Sequence, residues 1–192
     1  AARLQATGRL GSAVVVLAGD AQGRDGYVRV LQDQIAALSL DGRVKLVGHV
    51  EDIPAAFLTA HVTVVASTEP EAFGRTAVEA AAVGCPVIAT DIGAPPETVR
   101  AAPGVPLEAI TGWLVPPGDV EALAQRLAEA LALGPAARDQ LGLRARSHVL
   151  AQFTAEAMQR RTLAVYDRLL GSVLERRFAE RFAHRNPPAT SR

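Results

Sequence analysis

At 192 residues, 49% of them apolar, the chain has the length of one domain and the means to bury a core. Twenty Lys and Arg balance twenty Asp and Glu, so the net charge is formally zero, with no support for a broad nucleic-acid footprint. The one cysteine, Cys85, excludes an intrachain disulfide, and no uncharged apolar stretch reaches transmembrane length.

In chain order, residues 1–7 read as the tail of a helix ended by Gly8. Residues 13–18 are a β-branched apolar run, short enough for a buried parallel strand. Residues 27–39 carry Val28, Leu31, Ile35 and Leu38 at helical spacing. A second strand spans 44–47, and a short helix spans 53–60 with Pro54 in its first turn. Strands at 62–66 and 87–89 flank a helix at 75–83, closed by Gly84. A brief helix at 95–100 and a short strand at 113–115 follow. Residues 120–133 form an amphipathic helix with Asp119 as its N-cap. Helices at 135–153 and 155–170 come next, the second capped by Thr154. Strands alternating with helices predict an α/β domain with a parallel sheet. Residues 186–192 read as a disordered tail.

The segment richest in chemistry is Glu71-Ala72-Phe73-Gly74-Arg75-Thr76-Ala77-Val78-Glu79. It places Glu71 at the carboxyl end of a strand and Glu79 inside the next helix. Ligands of parallel α/β sheets bind at this end. The backbone N–H groups of Gly74, Arg75 and Thr76 are expected to be open donors of a helix N-terminus, a seat for an anion. Glu71 reads either as a ligand carboxylate, accepting two hydroxyl hydrogen bonds at once, or as a solvated loop acid. Glu79 reads either as a ligand group or as the i,i+4 ion-pair partner of Arg75. Gly19 allows close approach of a ligand, or is a turn glycine.

Other chemistries find no foothold. His49, His61, His148 and His184 are far apart and lack ligand spacing, so no metal site is expected. No Gly-any-Gly-any-any-Gly opens the first strand-to-helix turn, and no Gly-Lys-Ser/Thr loop occurs, against a nicotinamide dehydrogenase and a P-loop NTPase. Cys85, beside Pro86 at a strand start, reads as a small buried apolar residue. The single cysteine and the lack of a charged-then-apolar leader pattern suggest the cytoplasm.

The run from Glu71 to Glu79, followed by Gly84-Cys85-Pro86-Val87, resembles the donor-site signature of retaining glycosyltransferases of family 4, which have the GT-B fold. Leu17-Ala18-Gly19-Asp20, Val44 to Asp52 and Thr111 to Asp119 are similar to further segments of that family, in its order. The resemblance implies a Rossmann-like parallel sheet with flanking helices, the C-terminal, donor-binding half of a GT-B enzyme. It implies that Glu71 binds hydroxyls of the donor sugar near the reacting carbon and that Glu79 binds the two ribose hydroxyls. Phe73, Gly74, Arg75 and Thr76 would complete the donor site, with the N–H groups meeting the phosphates. Val50 would pair with the base through its backbone, and Gly19 would line the donor. The substrate would be a nucleoside-diphosphate sugar, used without metal or cofactor by a hexosyltransferase-type enzyme of glycan biosynthesis.

The chain departs from the family pattern in several places. Ala72 and Ala94 stand where glycine is common, and residues 91–97 read either as the family's donor loop or as a plain strand-to-helix turn. The family's opening strand and its Gly-Arg…Lys loop are not found, nor is an acceptor-binding domain. The sequence is therefore expected to be a donor half without its first strand, inactive alone: residues 1–170 the donor-binding domain, 171–185 a helix packing on the acceptor domain, 186–192 a tail. The arginine-rich stretch with Leu174, Phe178 and Phe182 at spacing four has a second reading, as a peripheral contact with the inner face of a membrane. Two rival functions remain: a GT-B sugar-nucleotide epimerase or hydrolase, and a non-catalytic nucleotide-sugar-binding domain.

Overall fold

A computed structural model of the chain describes residues 1–185; the expected tail, 186–192, lies outside them. The elements run α1 (Ala2–Ala6), β1 (Val15–Ala18), α2 (Asp25–Ala37), β2 (Val44–Gly48), α3 (Ile53–Thr59), β3 (Thr63–Val65), α4 (Arg75–Ala82), β4 (Val87–Thr90) and α5 (Pro95–Thr98). A 3-10 turn at Leu107–Ala109, β5 (Gly112–Val115), α6 (Val120–Leu131), α7 (Pro135–Gln152), α8 (Ala155–Leu170) and α9 (Leu174–Arg185) complete the order. The chain divides into two compact units, Ala1–Ser147 and the part from His148 onward.

In the first unit every strand pairing is parallel, as alternation of strands and helices requires. β1 pairs with β2, Val15 opposite Val44. β3, β4 and β5 form a second sheet, with Thr63 opposite Val87 and Val87 opposite Gly112. Flanking helices complete the Rossmann-like α/β class expected from the sequence. Among the described residues β1 and β3 share no neighbouring strand, in line with the expected lack of the family's first strand.

The boundaries shift for local reasons. β1 starts at Val15 because the Ala13 N–H is taken by the Leu10 carbonyl in a turn. α2 begins at Asp25, two residues before the expected start, and Ser39 beyond its end sits at φ +54°. α5 stops at Thr98 because Val99 is extended, at φ −112° and ψ 112°. The capping carboxylate of Asp119 accepts the Ala122 N–H at 2.9 Å, as predicted. Asp52 caps α3 in the same way, through Ala55 at 2.9 Å.

The core gathers around β4, whose four residues are all buried. Ile88 packs with Val115 of β5 and Ala130 of α6, supported by Trp113, Leu123 and Leu127. Ala77, Val78, Ala80 and Ala81 bury one face of α4. A smaller cluster of Leu4, Leu10 and Ala128 ties α1 to α6. Each such Val, Leu or Ile stabilises by about 1.5–3 kcal/mol on burial. Gly142 of α7 lies against the Gly84 carbonyl so closely that a Cβ on Gly142 would overlap it.

In the second unit α9 packs on α8. Thr154 caps α8 through the Ala157 N–H at 3.1 Å, as expected, and Gly171, at φ +63°, ends it. The Asp167 carboxylate accepts hydrogen bonds from the Ser172 hydroxyl at 2.6 Å and from the N–H groups of Leu174 at 2.7 Å and Glu175 at 3.0 Å. These bonds, the Ser172 hydroxyl first among them, hold the Asp167 carboxyl below its ordinary range. Arg160 of α8 reaches Glu175 of α9 at 2.7 Å. Phe178 and Phe182 stand with ring centroids 5.8 Å apart. No described helix is long and apolar enough to cross a membrane.

Candidate functional site

The loop that follows β3 carries Glu71 back over the carboxyl end of the sheet. There Glu71 forms an isolated parallel bridge with Gly93, in the loop that follows β4. The Glu71 carbonyl accepts the Ala94 N–H at 3.0 Å. Gly93 has φ +71°, and a Cβ there would stand 2.6 Å from both the nitrogen and the carbonyl oxygen of Glu71. Only glycine fits such a contact, since the obstacle is backbone and cannot swing away. Residues 91–97 are therefore more than a plain turn: they are stitched to the segment that carries Glu71.

The Glu71 side chain is fixed as well. The Ser67 hydroxyl, just past the end of β3, donates a hydrogen bond to Oε1. Oε2 lies 3.5 Å from the point where a Cβ on Gly74 would stand. Gly74 is buried, has φ +70° and caps α4. Its carbonyl accepts the N–H groups of Ala77 at 3.1 Å and Val78 at 3.3 Å. That leaves the N–H groups of Arg75 and Thr76 without an intrahelical acceptor. An acidic side chain and an open helix N-terminus thus stand side by side, with Phe73 half exposed next to them.

On α4 the i,i+4 ion pair, one of the two readings of Glu79, is present. Arg75 Nη2 and Nε lie 2.8 and 3.2 Å from the same oxygen, Oε1 of Glu79. The two side chains are 81% and 44% exposed, so the pair is worth only about 0.2–0.5 kcal/mol. A ligand with a stronger claim on either partner can take it.

Gly19 and Val50 belong to the other sheet. Gly19 follows β1 at φ +155°, and its N–H donates to the Gly48 carbonyl at 2.8 Å. Val50 is half-buried in the loop after β2. The structure thus groups Glu71, Phe73, Gly74, Arg75, Thr76 and Glu79 around one strand end and one helix. Gly19 and Val50 form a second group at the carboxyl ends of β1 and β2.

A cavity of about 260 Å³ lies at the opposite, amino ends of β3 and β4, lined by His61, Cys85, Pro86 and Arg138 among others. None of the candidate residues lines it, so it is separate from the site. Burial pushes the Cys85 thiol up, and its sulfur lies 3.2 Å from the Thr63 hydroxyl. The expectation of a buried apolar cysteine holds.

The roles of two residues that hold the site together escaped the sequence reading. Gly93 was noted, but its positive φ is invisible in a sequence. Ser67 left one signal, a hydroxyl four residues ahead of the carboxylate, which acquires meaning only when the loop folds back.

Residues 1–148 match the family model described as glycosyl transferases group 1. A D-inositol 3-phosphate glycosyltransferase of Mycobacterium tuberculosis is 31% identical over 176 residues, 88% of this chain and 34% of that protein. A glycosyltransferase from Rickettsia africae superposes with a TM-score of 0.76 at 29% identity, covering 90% of this chain and 44% of the other. HepE of Anabaena, solved in complex with UDP-glucose, superposes with a TM-score of 0.69 at 30% identity, covering 81% and 42%. The chain spans 10%, 38% and 34% of three curated relatives, so each is much longer than the matched part.

Proposed function

We propose that this chain, which belongs to the glycosyl transferases group 1 family, is the donor-binding half of an enzyme that moves a sugar from a nucleoside diphosphate to an acceptor hydroxyl. The observation that carries the reading is the Glu71 carboxylate, clamped by Ser67 beside the open N-terminus of α4. The diphosphate would take the N–H groups of Arg75 and Thr76, where the helix dipole favours negative charge by roughly 0.3–1 kcal/mol. Glu71 would accept the sugar hydroxyls. Glu79 would accept the ribose hydroxyls, and the Arg75 guanidinium it now holds would be released toward the phosphates. Gly19 and Val50 would bound the nucleotide on the side of β1 and β2. A UDP-sugar bound to HepE supports this class of donor.

The mechanism that fits is retaining transfer without a metal. The acceptor hydroxyl attacks the face from which the diphosphate departs, and the departing oxygen takes its proton. Positioning and stabilisation of the leaving charge carry the catalysis. On this reading the acceptor site lies in a further domain, the isolated chain does not transfer sugar, and the enzyme works in the cytoplasm or at the inner face of the membrane. The Arg75–Glu79 pair favours a second reading, a domain that binds a nucleotide sugar without turning it over.

Calorimetry and turnover on the full-length protein separate the two. Glu79→Ala is expected to weaken nucleoside diphosphate binding by about 1.5–3 kcal/mol, the worth of hydrogen bonds to a charged group. Glu71→Ala is expected to cut turnover while leaving diphosphate affinity unchanged. Equal diphosphate affinity in Glu79→Ala and wild type removes the ribose assignment. Donor binding without transfer to any acceptor selects the second reading.

A further inference from the structure

We propose that Ser67 and Gly93 are positioning residues for Glu71, one setting its carboxylate and the other its backbone; the inference rests on the donor-site reading above. A glutamate in a loop has three rotatable side-chain bonds, and its carboxylate explores many positions unless something holds it. Here both ends are held. The Ser67 hydroxyl binds Oε1, which turns Oε2 toward Gly74 and the head of α4. The bridge to Gly93 and the Ala94 N–H fix the backbone from the neighbouring strand's loop. Pro95, buried behind that loop, lies 3.4 Å from a Cβ position on Gly74 and closes the far wall.

The two supports divide the work. Ser67 is half-buried and its hydroxyl bonds to the carboxylate, so it selects a rotamer without carrying the fold. The bond takes one lone pair of Oε1 and leaves the carboxylate further acceptor capacity, so sugar hydroxyls would meet it in one fixed direction. Gly93 sets where the whole segment sits: any side chain there drives the Glu71 backbone off the bridge. Preorganisation of this kind appears in turnover more than in affinity, because the reacting geometry tolerates less error than binding does.

The test uses the full-length transferase with UDP-glucose and related donors. Ser67→Ala is expected to lower kcat about tenfold, near 1.4 kcal/mol of barrier, with KM within about twofold. Ser67→Thr, which keeps the hydroxyl, is expected to recover most of that loss. Gly93→Ala is expected to lower kcat at least as much as Ser67→Ala. The double variant Ser67→Ala/Glu71→Ala is expected to be no slower than Glu71→Ala alone, because a support has nothing to support once the carboxylate is gone. Additive losses in that cycle, or wild-type kcat in a folded Ser67→Ala, overturn the role of Ser67. Wild-type kcat in a folded Gly93→Ala overturns the role of Gly93. Wild-type kcat in Glu71→Ala overturns the donor-site reading beneath both. Should Ser67→Ala fail to fold, low kcat in a folded Ser67→Thr overturns the Ser67 assignment.

Discussion

The segment β1–α2–β2 and the segment β3–α4–β4 have the same plan, strand, helix and parallel strand, yet they differ sharply in what covers them. β4 is buried along its whole length, and α4 buries Ala77, Val78, Ala80 and Ala81. α2 buries no residue, and Val16 and Val47 on β1 and β2 are 55% and 47% exposed. Composition does not explain the contrast, since β1 reads Val-Val-Leu-Ala and β4 reads Val-Ile-Ala-Thr. The neighbours do. β4 has a strand on each side and α4 and α6 against it, while among the described residues β2 is the one strand that pairs with β1. Apolar periodicity therefore tells which face a strand would bury, and topology decides whether anything arrives to cover it. The residues around Glu71 stand on the well-covered side, which suits a site that needs fixed geometry.

The largest effect expected from this contrast is in paired truncations. Ile88→Ala should cost about 2–5 kcal/mol, since it leaves a cavity among Val115, Ala130 and Trp113. Val16→Ala, at a side chain already half in water, should stay within about 0.5 kcal/mol of wild type. Urea melts of the two variants measure the difference. Similar losses for both would show that β1 is covered in solution and that the two segments are equivalent.

Glycines sharpen the contrast through its sign. Gly142 in α7 has the Gly84 carbonyl where its Cβ would go, so Gly142→Ala should destabilise by about 1–3 kcal/mol through overpacking. Gly26 in α2 has open space and ordinary backbone, so Gly26→Ala should stabilise by about 0.4–1 kcal/mol through a less flexible unfolded chain. Thermal melting of both variants checks this. Two shifts in the same direction would mean that α2 is more closely packed than it is here.

These pairs also mark what a sequence discloses. Every strand and nearly every helix was legible, because periodicity and caps are local: Asp119 and Thr154 were read correctly as N-caps from their positions alone. The 3-10 turn at Leu107–Ala109 was not, since three residues carry no period. The ends of α5 were blurred because Val99 leaves the helix for reasons set by its neighbours. In the site, Glu71 and Glu79 were visible as a spaced pair of acids beside a Phe-Gly turn. Ser67 was not, because its meaning depends on a loop doubling back. Gly93 was ambiguous for the same reason: close approach to Glu71 joins residues on two different strand ends.

A smaller effect on stability, but a visible one on behaviour, is expected at the open strands. Among the described residues β1 and β3 each have a strand partner on one side only, and Val14, Val16, Leu17 and Val64 are exposed near them. Exposed backbone donors and acceptors with β-branched side chains invite pairing with other molecules. The isolated chain should therefore self-associate in sedimentation, and Val16→Lys should reduce that association at little cost to the fold. A wild-type monomer with a cooperative, high-temperature melt would show that this edge is closed in solution.

The smallest effect concerns the second unit, where polar capping takes the place that core packing has around β4. α8 buries no residue, and the head of α9 is held by Asp167. The folded carboxyl titrates lower than in the unfolded chain, chiefly because the Ser172 hydroxyl favours its charged form. The sign follows. Its stabilisation is complete above the unfolded value, near pH ~4, and is lost as pH falls through the lower folded value. Amide exchange at Leu174 and Glu175 should then quicken relative to the ordinary acid trend below about pH 4, while β4 amides keep their protection. Asp167→Asn keeps an acceptor at the cap but has no proton to gain, so its exchange at these two amides should follow the ordinary trend. The comparison between the two proteins isolates Asp167 from the ion pairs that Arg160 makes with Glu156 and Glu175, which both proteins share. Coincident acid profiles for Asp167→Asn and wild type would mean that α9 is held by its contacts with α8, as β4 is held by its neighbours, and not by this cap.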